Sequence, residues 1–204
     1  MLYADKRVLE TNLKVNMIEI REKELNYYVQ NLAAVNTQAA LLAGFSYSGL
    51  TNITIPVETD YVLKLTYLMV TTTSMCLELV AVMNSTLLQM MGPGLALRGP
   101  DGSVHPATDG MVAEYQIAYF NFVLGVFFFH FSAALFGWLM FNWVVSSCVS
   151  LTVISSLWLL LRYSSRVYTR FRLPPEEVES GKFYNKDLPS REAKDWETRQ
   201  WKEK

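Results

Sequence analysis

The sequence predicts an all-α integral membrane protein with four transmembrane helices, a helical N-terminal extension and a polar C-terminal tail. Three observations carry that prediction. Half of the chain is hydrophobic, 51% of 204 residues. From Leu25 to Val57 there is no Asp, Glu, Lys or Arg, and from Tyr115 to Leu161 there is again none. Turn-forming clusters punctuate the apolar runs at intervals that suit membrane crossings. A crossing needs roughly 20 mostly apolar residues for ~30 Å of hydrocarbon, so the first gap accommodates one helix and the second accommodates two.

Residues 1–31 form an amphipathic arm, with Leu9, Leu13, Met17 and Ile20 recurring at helical spacing and no Gly or Pro. The arm either runs straight into the first crossing or packs on a membrane or partner surface. The first crossing, 32–56, is interrupted by Asn36, Thr37, Gln38, Ser46, Ser48, Thr51, Asn52 and Thr54, so it should be surrounded by protein or line water. The second, 61–91, carries only Lys64 near its start and Glu78 inside it. A loop at 92–111 follows, marked by Gly92-Pro93-Gly94 and Gly99-Pro100-Asp101-Gly102. The third crossing, 112–141, holds Phe127, Phe128, Phe129 and Phe131 and is expected at the periphery against lipid. Asn142 marks the break before the fourth crossing, 143–165, and the polar tail occupies 166–204.

Lys and Arg set the orientation. Lys6, Arg7, Lys14, Arg21 and Lys23 precede the first crossing, and Arg162, Arg166, Arg170 and Arg172 follow the last. Both termini are therefore expected on the cytoplasmic or equivalent inner side of a plasma or organelle membrane. The acidic segment with Glu58 and Asp60 falls on the far side.

A net charge of -1 excludes the concentrated basic surface that a nucleic-acid partner requires. Cys76 and Cys148 lie inside apolar helices, where thiols act as small hydrophobes, and no disulfide framework is implied. No phosphate loop, nucleophile elbow, zinc spacing or paired carboxylates occur, so the expectation is a non-enzyme with neither cofactor nor metal. The expected partners are membrane lipids, copies of the chain or other membrane subunits, and a cytoplasmic protein at the C-terminal tail.

Two ionisable residues fall within apolar helices. Glu78 is either a functional site or a carboxyl bonded to a neighbouring helix. His130 reads as a packing histidine, because no second ligand stands at metal spacing. On the first crossing Leu41, Phe45, Ser48 and Asn52 are spaced by four, three and four, hence on one face that grades from apolar to polar. In a ring of copies such a face makes a pore with a hydrophobic constriction and polar mouth. In a single bundle it is a packing face, with Ala43, Gly44 and Gly49 permitting close approach.

The run Ala40-Leu41-Leu42-Ala43-Gly44-Phe45 resembles the ALLSGF run in the pore helix of the Orai family of calcium release-activated calcium channel subunits. Thr72-Thr73 followed by Leu79 to Met83 and Ser85-Thr86 is similar to that family's second helix, and Gly125 to Trp138 to its third. The likeness covers about residues 37–165. It implies a helical subunit, six copies around an axis, with the first helix innermost. By position, Leu41, Phe45 and Ser48 would stand in the hydrophobic section and Gly44 at the hinge-like glycine. Asn52 would stand at the filter carboxylate, with Glu58 and Asp60 in the acidic outer vestibule. Departures are specific. Asn52 is neutral, Ala33 and Thr37 replace basic pore residues, Glu78 replaces a histidine and Ser132 replaces a glutamate. The expected function is an Orai-like cation channel subunit with weak calcium selectivity. The alternative is a non-conducting structural subunit packed into a larger membrane complex.

Overall fold

The computed structural model describes residues 2–52, 59–99 and 103–171, and these are all-helical, with no strand. Helix α1 spans Leu2–Thr51, α2 Tyr61–Arg98, α3 Val104–Met140 and α4 Trp143–Phe171. At about 1.5 Å per residue the 50 residues of α1 extend roughly 75 Å, so the N-terminal arm and the first apolar segment form one continuous rod.

Local chemistry sets the other boundaries. Asp60 caps α2, its side chain accepting from the Val62 N–H at 3.4 Å. At the far end the Gly99 N–H bonds the Leu95 carbonyl, and Ser103 Oγ donates to the Ala96 carbonyl across the short connection. Pro106 lies in the first turn of α3, where its missing N–H would have had no helical partner. Phe141 and Asn142 alone separate α3 from α4. There Ser146 Oγ lies within hydrogen-bond distance of the Gly137, Phe141 and Asn142 carbonyls, beside the backbone bonds that Phe141 N–H gives to Gly137 and Ser146 N–H gives to Asn142.

Two segment assignments are corrected. Where the sequence suggests a loop at 92–111, α2 continues through Gly92-Pro93-Gly94 to Arg98 and α3 already begins at Val104. A Cβ on Gly92 would lie 2.7 Å from Met111 Cε. This glycine leaves room for the Met111 side chain of α3, and Pro93 removes one ladder bond and crowds the carbonyl of Gln89 within a helix that continues to Arg98. The tail is also shorter than expected, because α4 runs on to Phe171.

Helices α1, α2 and α3 alternate in direction, and α4 turns back from α3 through the two-residue link, meeting it near its start. Antiparallel α1 and α2 meet at Asn36–Thr86 and Gly49–Tyr67. Antiparallel α2 and α3 meet at Thr71–Ser132 and Ser74–Gly125. Most buried positions fall on a seven-residue repeat: Arg21, Leu25, Leu32, Val35, Ala39 and Ser46 on α1; Tyr67, Thr71, Ser74, Glu78, Ala81 and Ser85 on α2; Thr108, Met111, Ala118, Gly125, Ser132 and Leu139 on α3, with Ala43, Ala107 and Gly137 buried beside it. That period is the pattern of left-handed knobs-into-holes packing.

The interior is small or polar and the exterior is greasy. Phe120, Leu151 and Ile154 are all more than 60% exposed, while Ser74, Glu78 and Ser85 are fully buried. A soluble protein sorts its side chains the other way. In lipid this arrangement is favourable, because small residues let helix backbones approach and buried hydroxyls find partners across helices. Three helices, α2, α3 and α4, are long and apolar enough to cross a membrane, as expected of a membrane protein. The outer half of α1, with its Asn, Gln, Ser and Thr, is not among them.

The third helix is not peripheral. It contacts α1, α2 and α4, because its small residues at 118, 125 and 132 line the seam while Phe127 and Phe131 turn outward. The peripheral helix is α4, where Ser146 alone is buried.

Candidate functional face of the first helix

Helix α1 uses one side for the bundle and leaves the other open. Ala39, Ala43 and Ser46 are buried against α2 and α3. Two residues further along in each case, at about 200° around the helix, stand Leu41, Phe45 and Ser48. Leu41 is 58% and Phe45 61% exposed, and Ser48 and Asn52 are exposed as well. Gly44 also faces outward, with no atom within 4 Å of where its Cβ would be, so it does not serve close packing within the chain. Gly49 does, because a Cβ there would lie 3.2 Å from the Tyr67 hydroxyl, which donates to the Gly49 carbonyl at 3.1 Å.

At the outer end of this face Asn52 Nδ2 donates to Ser48 Oγ at 2.9 Å. Asp60 is exposed at the cap of α2. Glu58 lies outside the described residues.

Behind the face, α1, α2 and α3 enclose an open cavity of about 210 Å³ lined by Phe45, Ser46, Tyr67, Thr71, Phe129 and Ser132. The hydroxyls of Thr71 and Ser132 bond each other at 2.5 Å, and Ser46 Oγ, fully buried, has no partner.

Glu78 stands apart from the open face. It is completely buried on α2, and neither carboxyl oxygen has a hydrogen-bond partner. Its carboxyl fits a notch left by Gly125, where a Cβ would sit 2.6 Å from Glu78 Oε1. His130 turns its Nδ1 to the Val126 carbonyl at 2.8 Å and edges against Phe129. Among the described residues no three of His, Cys, Asp and Glu gather at metal-binding distance.

One residue that sequence reasoning treated only as an orienting charge is structural. Arg21 is 1% exposed; its Nη1 reaches Glu24 at 3.0 Å and Asp109 on α3 at 3.5 Å. Its Nε and Nη2 have no partner. Its position four residues before Leu25 on the buried repeat was the available signal. Nearby, burial pushes the Tyr28 phenol above its ordinary range, with Glu24 adding to the effect.

No protein-family model, curated protein or solved structure matches this chain.

Proposed function

We propose that the chain is an Orai-like cation channel subunit, in which α1 supplies a fourth crossing and copies of the chain gather around an axis lined by Leu41, Gly44, Phe45, Ser48 and Asn52. The observation that carries this reading is the open face of α1. It is directed away from the bundle, it grades from Leu41 and Phe45 to the paired Ser48 and Asn52, and it belongs to the helix least suited to lipid. Amides and hydroxyls directed into hydrocarbon are costly, whereas around a water-filled axis they are solvated. Leu41 and Phe45 would form the constriction and Asn52 the outer ring. Four crossings, with Lys and Arg before the first and after the last, would put the arm and the basic end of α4 on the inner side of the membrane.

Asn52 sets the selectivity. A divalent ion is held by carboxylates that outcompete its water, and an amide offers only a neutral dipole. The wild-type chain should pass monovalent cations with weak divalent preference. Asn52→Asp should add divalent block or permeation in reconstituted bilayers, and Asn52→Ala should add neither. Absence of conductance in both wild type and Asn52→Asp, with assembly intact, would overturn the channel reading. The second reading, a non-conducting structural subunit of a larger membrane complex, draws on the bare flank of α4, which packs on α3 only near its start. A single copy found among unrelated chains would favour it.

A further inference from the structure

We infer that the inner end of α4 is a binding stripe for anionic phospholipid headgroups. Helix α4 contacts α3 through Ser146, Val149 and Ser150, and from Trp158 to Phe171 every residue is exposed. From Trp143 to Leu161 it carries no charge, and then Arg162, Arg166 and Arg170 follow at intervals of four, hence on neighbouring positions of one face. The described span of α4 contains no Asp or Glu, and among the described residues none of the three arginines makes an ion pair. They are instead supported by aromatic rings. The Arg162 guanidinium lies 5.0 Å from the Trp158 ring and that of Arg166 lies 5.6 Å from Tyr163.

Height along the helix selects the partner. The charge-free segment ends at Leu161, so a crossing α4 brings Arg162 to the edge of the hydrocarbon. Trp158 and Tyr163 then lie at the level where aromatic belts sit. Arg166 is about 6 Å and Arg170 about 12 Å further along the axis. The headgroup layer is roughly 5–8 Å deep on each side, and a long arginine side chain can bend back toward it. Guanidinium groups at that depth match phosphate and carboxylate oxygens in paired hydrogen bonds. Beside Leu159, Tyr163, Val167 and Phe171, which form the adjacent apolar stripe, the occupant has both an anionic head and acyl chains. A lipid satisfies both. This inference rests on α4 crossing a membrane and is independent of whether α1 lines a pore.

The test uses the full chain with Trp158 as its only tryptophan, the other four replaced by Phe, in phosphatidylcholine nanodiscs. An equal fraction of brominated-chain phosphatidylserine or brominated-chain phosphatidylcholine is added, and quenching of Trp158 reads the lipid beside it. A basic residue near an anionic surface is worth about five-fold in local enrichment. Phosphatidylserine should therefore be enriched about five-fold or more over phosphatidylcholine. The preference should fall toward unity in the triple variant R162Q/R166Q/R170Q and, on the unmodified stripe, in molar salt. The triple variant R162K/R166K/R170K, which keeps the charge that orients the chain, should retain most of it. Equal quenching by the two lipids overturns the inference, as does a preference that survives in the glutamine variant. Binding of soluble polyglutamate without phosphatidylserine preference also overturns it and assigns the stripe to an acidic protein.

Discussion

Replacing Gly125 by alanine should force α2 and α3 apart at Glu78, and only a change at Glu78 should reverse the damage. A Cβ at position 125 would lie 2.6 Å from Glu78 Oε1, 2.8 Å from Cδ and 3.1 Å from Cγ. Ordinary contacts between such atoms are about 3.5–4.0 Å, so the overlap approaches 1 Å. Glu78 has nowhere to swing, because it is wholly buried, and the Ser74 hydroxyl holds the Gly125 carbonyl at 3.0 Å. Overpacking of this kind costs roughly 1–3 kcal/mol. For a chain of this size each kcal/mol moves the melting midpoint by about 2–4 °C, so Gly125→Ala should melt roughly 5 °C lower in detergent. Glu78→Ala empties the notch, and the new methyl of the double variant then occupies the freed space. The two substitutions should therefore couple by about 1 kcal/mol or more. Glu78→Gln keeps the side chain's shape and should give no rescue. Thermal unfolding followed by helix circular dichroism measures all five proteins. If Gly125→Ala melts with the wild type, or the Glu78→Ala and Gly125→Ala effects add without coupling, the carboxyl does not occupy the notch.

Three further outcomes test the arm of α1. Arg21→Met should be tolerated or stabilising in thermal melts, because it removes two buried donors without partners, each costing about 1–3 kcal/mol. Asp109→Asn, which leaves the buried guanidinium short of a carboxylate, should destabilise more than Arg21→Met does. Lys23, bonded to Glu19 at 2.8 Å on the exposed side of the arm, holds the Glu19 carboxyl below its usual 4.5. The small stabilisation from that pair is present above pH 4.5 and is lost as pH falls through the lowered midpoint. Lys23→Gln should return the Glu19 midpoint toward 4.5 in a carboxyl NMR titration with little change in melting, because both side chains are in water.

Much of the architecture was legible because charge and turn chemistry are local. The charge-free run from Tyr115 to Leu161 holds most of α3 and the apolar part of α4, and Asn142 falls at their two-residue link. What failed depended on which neighbour a residue meets. Gly92 and Pro93 read as a turn, yet the glycine is there because Met111 needs the room. The Phe-rich third helix read as peripheral on composition, while its place was decided by Ala118, Gly125 and Ser132, small residues at a seven-residue interval that hydropathy does not weigh. Arg21 read as one charge among five in the arm, and its burial depends on Asp109, far away in sequence. At the candidate site, the spacing of Leu41, Phe45, Ser48 and Asn52 gave their shared face, but only the packing of Ala39, Ala43 and Ser46 shows that this face is left open.

The polar residues of the apolar segments divide into two groups, and the division bears on what one chain can do alone. Thr71, Ser74, Ser132, Asn36 and Thr86 are directed inward and bond across helices within a single bundle, although the buried Asn36 Oδ1 has no partner among the described residues. Ser48 and Asn52 are directed outward and, among the described residues, their side chains are joined to each other, while the exposed Thr51 hydroxyl bonds back to its own helix at Tyr47. Inward pairs of this kind lend specificity to helix packing and need nothing further. Outward amides at membrane depth need water or a neighbouring chain, because hydrocarbon offers neither donor nor acceptor. The described bundle pairs several of its interior hydroxyls, leaves Ser46 Oγ and Ser85 Oγ without a partner, and turns Ser48 and Asn52 of its least apolar helix away from itself.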